Sequence, residues 1–233
     1  MATIGANLQA VRERIARAAT LAGRDTGTIS LVAVSKAHPV GAVEEAYAAG
    51  QRAFGENYLQ EALDKMRHLA TAEIAWHMIG PLQSNKTRAV AENFSWVHSI
   101  AREKVARRLS EQRPAGLASL NVLLQVNVSG ETSKSGVAPG ELAALAHRVA
   151  RLPRLRLRGL MAVPEPTADR GLQRTRFRAL RELFDGLRAE GLELDTLSMG
   201  MSDDMESAIA EGATLLRIGT AIFGTRQRRE DAV

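Results

Sequence analysis

The feature that most constrains this chain is a rhythm. Eight short runs rich in apolar and β-branched residues recur along it: Ser30–Ser35, Arg52–Gly55, Ala75–Ile79, Trp96–Ile100, Val122–Val128, Leu157–Val163, Leu194–Met199 and Leu215–Ile218. Between them lie stretches with helical spacing, at about 40–50, 58–71, 85–92, 102–112, 139–151, 170–190 and 204–211. Near-continuous apolar runs suit parallel strands buried on both faces, and parallel strands need crossovers long enough to hold a helix. The pattern predicts repeated strand–helix units. Eight such units close into a (β/α)8 barrel, a TIM barrel of the α/β class, with an open doubly wound sheet as the alternative. Residues 3–22 precede the first unit and put Ile4, Leu8, Val11, Ile15 and Ala18 or Ala19 on one helical face, with Gly23 as a stop signal. We read residues 1–233 as one barrel domain: an extra N-terminal helix at about 3–22, the barrel at about 29–224 and a short C-terminal tail.

Composition narrows the function classes. Hydrophobic residues make up 45% and charged residues 24% of the 233, enough for a sizeable core and unlike a disordered chain. The absence of cysteine excludes disulfides, a thiolate nucleophile and a cysteine metal site, and fits a reducing cytoplasm. The first residues, MATIGANLQAVRERIARAA, carry charges at helical spacing without a long apolar run, so they read as neither signal peptide nor membrane span. The net charge is +5, but arginines are interspersed with acids and aromatics are 4%. Nucleic-acid binding needs a clustered basic stripe and stacking rings, so the charge reads as solvated helix faces.

In barrels of this kind chemistry sits where strands end. Lys36 directly follows LVAVS, so its stem leaves a buried strand. A partly desolvated amine loses preference for its charged form, which is what condensation with an aldehyde requires; a snorkelling surface lysine is the alternative. Glu56 and Asn57 follow the second run, His98 and Ser99 close the fourth, and Asn127 and Met161 belong to the fifth and sixth. Ser198, Met199, Gly200 and Met201 end the seventh. A hydroxyl beside a bare backbone, as in Ser198 and Gly200, suits an oxyanion. Arg217 lies near the end of the eighth run, where an unpaired guanidinium is costly. Gly219 and Thr220 then open a helical turn with free N–H groups, a phosphate cradle in its usual barrel place; a plain turn glycine is the alternative. Asp203 with Glu206 reads as a capping box. His77 has no second histidine or carboxylate at metal spacing, so no metal site is expected. Trp76, Met78 and Trp96 are expected to pack outside the barrel. An amine plus a phosphate cradle points to a phosphorylated aldehyde. Pyridoxal 5′-phosphate (PLP) fits, and so does the substrate of a sugar-phosphate aldolase.

The motifs LVAVSK, GENYLQE, WHMIGPLQSNK, QVNVSGETSKSG, GLMAV and LSMGMSDDMESAIAEGATLLRIGTAIFG occur in order from about Ile29 to Gly224. By them the chain resembles the PLP homeostasis protein family, which is similar to the barrel domain of alanine racemase (PLP fold type III) without its second domain. The resemblance implies a Schiff base on Lys36, Arg217 near the ring nitrogen, and Ser198, Gly219 and Thr220 on the phosphate. It puts Asn57 and Met199 along the ring site, Gly200 nearby and His77 beneath or beside the ring. Two positions depart from the family pattern: His38 where a second lysine is common, and Ala101 where many members have aspartate. Lys134 matches a family lysine and reads as a ligand or enzyme contact or as a solvated loop residue.

The implied function is a cytoplasmic, monomeric carrier and buffer of PLP that catalyses nothing. Its expected partners are PLP-dependent apoenzymes or PLP-producing enzymes, with no nucleic acid and no membrane. The alternative is a PLP-dependent amino-acid racemase. An arginine at the ring nitrogen opposes ring protonation and makes the ring a poorer electron sink. A racemase also needs a second acid/base on the opposite face, which in alanine racemase is a tyrosine from the partner subunit. Here only Tyr47 and Tyr58 exist, one mid-helix and one after the second run.

Overall fold

The computed structural model describes residues 3–130 and 135–225. Lys134 and the end of the C-terminal tail lie outside the described residues. The strands are β1 (Ser30–Val34), β2 (Ala53–Glu56), β3 (Ala75–Met78), β4 (Trp96–Ile100), β5 (Leu120–Gln125), β6 (Leu155–Met161), β7 (Thr196–Ser198) and β8 (Leu215–Ile218). All pair in parallel and in chain order, and β8 returns to β1 with Ser30 opposite Leu215 and Ala33 opposite Ile218. The sheet is therefore a closed barrel and not an open one. The helices are α1 (Ile4–Leu21), α2 (Val40–Ala48), α3 (Leu59–His68), α4 (Thr87–Asn93), α5 (Glu103–Gln112), α6 (Pro139–Ala150), α7 (Arg170–Ala189), α8 (Met205–Ala210) and α9 (Thr220–Phe223).

Side chains alternate between two environments, as strand geometry demands. Phe54, Trp76, Met78, Val97, Leu197, Leu216 and Ile218 join the apolar cluster that also holds the helix residues Val43, Ala62, Leu109 and Phe177. Val32 and Val34 face the barrel interior, where a Cβ on Gly55 would come 3.0 Å from Val32 and 3.4 Å from Val34. Strands β5 and β6 begin two residues before their apolar runs, because Asn121 and Arg156 interrupt the pattern. Gly159, where β6 shifts register against β5, is obligatory: a Cβ there would lie 1.9 Å from the Thr196 carbonyl oxygen.

The N-terminal helix has a definite job. Each of β1 to β7 is followed by a helix of at least six residues, but α9 after β8 has only four. Helix α1 packs against α2, α8 and α9 and supplies the missing wall with Leu8, Val11, Ile15, Ala18 and Ala19. Polar contacts set its position. Asn7 donates to the Ile222 carbonyl at 3.0 Å, and Arg14 pairs with Glu206 and donates to the Ser202 carbonyl at 2.9 Å. Just beyond the helix, Arg24 donates to the carbonyls of Ile209 and Ala213 at 2.9 and 2.7 Å.

These contacts overturn the capping-box expectation for Asp203 and Glu206. Helix α8 starts at Met205 with Asp204 at its cap, and the Asp204 carboxylate accepts from the Met201 N–H at 2.6 Å. Glu206 turns to Arg14, because a guanidinium is a stronger partner for a carboxylate than a neutral backbone donor.

Candidate functional site

The C-terminal mouth of the barrel is built on a braced turn. After β1, Ser35 is buried, Lys36 is half-buried, and Ala37 adopts φ +60°, an uncommon conformation for a residue with a Cβ. Three groups beneath tie this turn down. The Ala37 N–H donates to Glu61 Oε1 at 2.7 Å, and Lys65 Nζ donates to the Ser35 carbonyl at 2.8 Å. Lys65 also reaches Glu56 at 2.7 Å and Glu61 at 2.6 Å, while the Ser35 hydroxyl donates to Glu56 at 2.6 Å. Burial pushes the Glu56 carboxyl above its usual range, against the pull of Lys65 and Ser35. Lys36 is thus presented by a turn fixed on both sides.

The neighbouring rim is equally close-fitting. A Cβ on Gly80 would come 2.5 Å from the Asn57 carbonyl oxygen, so glycine lets the loop after β3 touch the loop after β2. Asn57 is half-buried, and its Oδ1 is buried with no hydrogen-bond partner, as is Glu56 Oε2. On the other flank, a Cβ on Gly219 would lie 3.2 Å from the Val34 carbonyl oxygen. The start of α9 therefore abuts the end of β1, two residues before Lys36. Thr220 is exposed there, but the turn offers fewer free N–H groups than its sequence suggested: the Ala221 N–H donates to Ser202 Oγ at 3.3 Å and the Ile222 N–H to the Gly219 carbonyl at 2.9 Å, which leaves the Thr220 N–H at the mouth.

Inside the barrel a polar chain crosses from β3 to β8. Arg217 Nη1 donates to Ser198 Oγ at 2.6 Å and its Nη2 to the Ala162 carbonyl at 2.9 Å. His98 Nδ1 lies 3.0 Å from the same hydroxyl, and His98 Nε2 lies 2.9 Å from His77 Nδ1. Burial pushes Arg217 down to about 10 and His77 down to about 3. His98 is held well below its usual range by burial, then by His77 and Arg217. Burial also raises the Asp204 carboxyl, which the bond from Met201 and the charge of Arg217 partly offset.

Lys36, Asn57, Ser198, Arg217, Gly219 and Thr220 thus belong to the mouth and the interior just below it. His77 lies within the barrel, stacked on Trp96 with ring centroids 5.3 Å apart. This corrects the expectation that Trp96 packs outside: it pairs in register with His77 and shares its face. Met199, expected along the ring site, and Gly200, expected nearby, present no side chain to the mouth. Met199 alternates with Ser198 into the apolar layer, and the space beside Gly200 (φ +96°) is filled by Ala208 and Leu216, each 2.7 Å from a Cβ there. Sequence reasoning missed the role of Lys65, whose signal was its i,i+4 spacing from Glu61, and the pairing of His98 with His77. No group of three histidine, aspartate or glutamate side chains that could hold a metal ion occurs among the described residues. His38, in place of the common second lysine, packs on Phe223 of α9 with centroids 5.2 Å apart. Ala101 lines a groove of about 300 Å³ with Pro81, Ser99 and Gln125.

An amine, a buried guanidinium–hydroxyl pair, the exposed Thr220 at a helix start and a buried acceptor lacking a donor fit a phosphorylated aldehyde that carries a hydroxyl. Comparison with known proteins narrows this. A family model described as alanine racemase, N-terminal domain, matches residues 6–227. A Pseudomonas aeruginosa protein named pyridoxal phosphate homeostasis protein is 64% identical, covering 97% of this chain and 97% of its own. The chain belongs to the pyridoxal phosphate homeostasis protein family. An Escherichia coli family member of the same name is 55% identical over 97% of this chain and 98% of its own. Among solved structures, PipY of Synechococcus elongatus with PLP bound superposes with TM-score 0.80 at 38% identity, over 90% of this chain and 99% of that one. Alanine racemase from Corynebacterium glutamicum shares the fold, with TM-score 0.69 at 20% identity, over 94% of this chain and 61% of that one.

Proposed function

We infer that this chain binds PLP through Lys36 and serves as a carrier and buffer of that cofactor, supplying or sequestering it without turning over an amino acid. The observation that carries the reading is the convergence at one mouth of the braced Lys36 turn with the first turn of α9 against β1, above the buried Arg217–Ser198 pair. Membership of a family whose members are named for PLP homeostasis supports it, as does the PLP-bound PipY structure.

When bound, PLP supplies an aldehyde with which amines condense reversibly. Lys36 would hold that aldehyde. Ser198, Gly219 and Thr220 would hold the phosphate, as hydroxyl and helix-start donors suit an oxyanion. Arg217 would face the ring nitrogen, and the buried Asn57 Oδ1 would accept from a ligand hydroxyl. His77 would act from beneath, and Met199 and Gly200 would contribute backbone only. A guanidinium at the ring nitrogen opposes a second positive charge there, which favours holding over carbanion chemistry. The tyrosines fit the same reading. Tyr47 is on α2 with its hydroxyl accepting from the Glu73 N–H at 3.3 Å, and Tyr58 is exposed. We place the protein in the cytoplasm as a monomer, exchanging PLP with apoenzymes that use it or enzymes that make it. No helix among the described residues is long and apolar enough to cross a membrane.

The test is a titration with PLP monitored by absorption, followed by incubation of the loaded protein with L- and D-alanine monitored by chiral chromatography. Saturable binding without racemisation is expected. Racemisation that disappears in Lys36→Ala would contradict the carrier reading and favour a racemase.

A further inference from the structure

Ser198 stands between two nitrogen groups of different character. Arg217 Nη1 approaches its hydroxyl at 2.6 Å and His98 Nδ1 at 3.0 Å, and His98 Nε2 lies 2.9 Å from His77 Nδ1. All four side chains are buried, and they come from β3, β4, β7 and β8. A guanidinium only donates, a hydroxyl has one proton and two acceptor sites, and a neutral imidazole has one nitrogen of each kind. Burial keeps both imidazoles neutral. With Arg217 on one acceptor site of Ser198, two complete proton arrangements remain.

In the first, the Ser198 hydroxyl donates to His98 Nδ1, and His98 Nε2–H donates to His77 Nδ1. In the second, His77 Nδ1–H donates to His98 Nε2, His98 Nδ1–H donates to Ser198, and the hydroxyl proton is released to another acceptor. Going from first to second, the Ser198 proton moves to His98 Nδ1 and the His98 Nε2 proton moves to His77 Nδ1. The His77 Nε2 proton leaves to water and Ser198 takes one from water, so the net charge is unchanged. An arriving phosphate oxygen meets a lone pair of Ser198 in the first arrangement and a proton in the second. Only the second gives a charge-assisted bond.

We propose that His98, held by His77, is a positioning residue that aims the Ser198 hydroxyl, so that the histidine pair sets the protein's preference for phosphorylated over unphosphorylated aldehydes. The proposal rests on the reading of Ser198 as a phosphate ligand.

The test titrates wild type, His98→Leu and His98→Asn with PLP and with unphosphorylated pyridoxal. The asparagine amide nitrogen can replace Nδ1–H as donor to Ser198. His98→Leu is expected to lower the preference for the phosphorylated form about 10-fold or more, and His98→Asn to restore most of it. In spectra of wild type carrying ¹⁵N-labelled histidine, His98 is expected to be protonated at Nε2 in the free protein and at Nδ1 once PLP is bound. Equal weakening for both aldehydes, or a tautomer that PLP leaves unchanged, would overturn the proposal. If His98→Leu fails to fold, the wild-type tautomer decides alone. Wild type that binds neither aldehyde would overturn the cofactor reading and this proposal with it.

Discussion

At the scale of single residues, the site depends on groups that hold other groups. Lys65 neutralises Glu56 in a buried position and at the same time fixes the carbonyl before Lys36. Removing one member of a buried ion pair strands the other, which typically costs about 3–5 kcal/mol, whereas removing both costs far less. Lys65→Met is therefore expected to destabilise the protein by that amount in urea unfolding, and adding Glu56→Gln is expected to recover much of the loss. A cost under about 1 kcal/mol for Lys65→Met would show that the pair does not brace the turn. Residues at the ends of apolar runs, such as Lys36, Ser198 and Arg217, were legible in the sequence because strand position alone puts them at the mouth. Lys65 and His98 were not, because what makes them matter is a partner 9 or 21 residues away, brought close by the packing of α3 on β2 and by the pairing of β3 with β4. The side-chain direction of Met199 was not legible either, because a motif gives positions, while strand alternation decides which side chains face the barrel interior.

At the scale of elements, α1 completes the ring of helices where α9 is too short to do so. Its hold divides unequally between apolar and charged contacts. Leu8 is fully buried in the main core, and truncating such a leucine costs about 2–5 kcal/mol. The Arg14–Glu206 pair is over one-third exposed on both sides, and such pairs contribute about 0–1 kcal/mol. Leu8→Ala is expected to lower stability at least twice as much as Arg14→Ala in the same denaturant assay; equal effects would mean that α1 is held by its charges. The helix itself was readable from its apolar face. Its function as the eighth wall was not, since that depends on α9 ending after four residues.

At the scale of the whole molecule, two histidines buried neutral inside the barrel link stability to pH. His77 is held at about 3 against an ordinary 6.5, so as pH falls through this window the unfolded chain takes up a proton that the native state refuses. Stability is therefore complete above about pH 6.5 and declines as pH falls towards 3, by about 1.4 kcal/mol per pH unit for each such histidine. His98, held down in the same way, steepens the decline. His77→Gln is expected to flatten the stability profile between pH 6 and 4 by about one proton; an unchanged slope would mean that His77 titrates freely in the folded protein. The barrel was legible in the sequence because eight apolar runs recur at crossover spacing. The polar chain through its centre was not, because its members lie on four different strands. The central claim is that this barrel holds PLP on Lys36. The most direct measurement is borohydride reduction of PLP-loaded protein followed by peptide mass mapping, for wild type and Lys36→Ala. The expected result is one pyridoxyl phosphate adduct on the Lys36 peptide of wild type and none in the variant; an adduct on another lysine, or none in wild type, would contradict the claim.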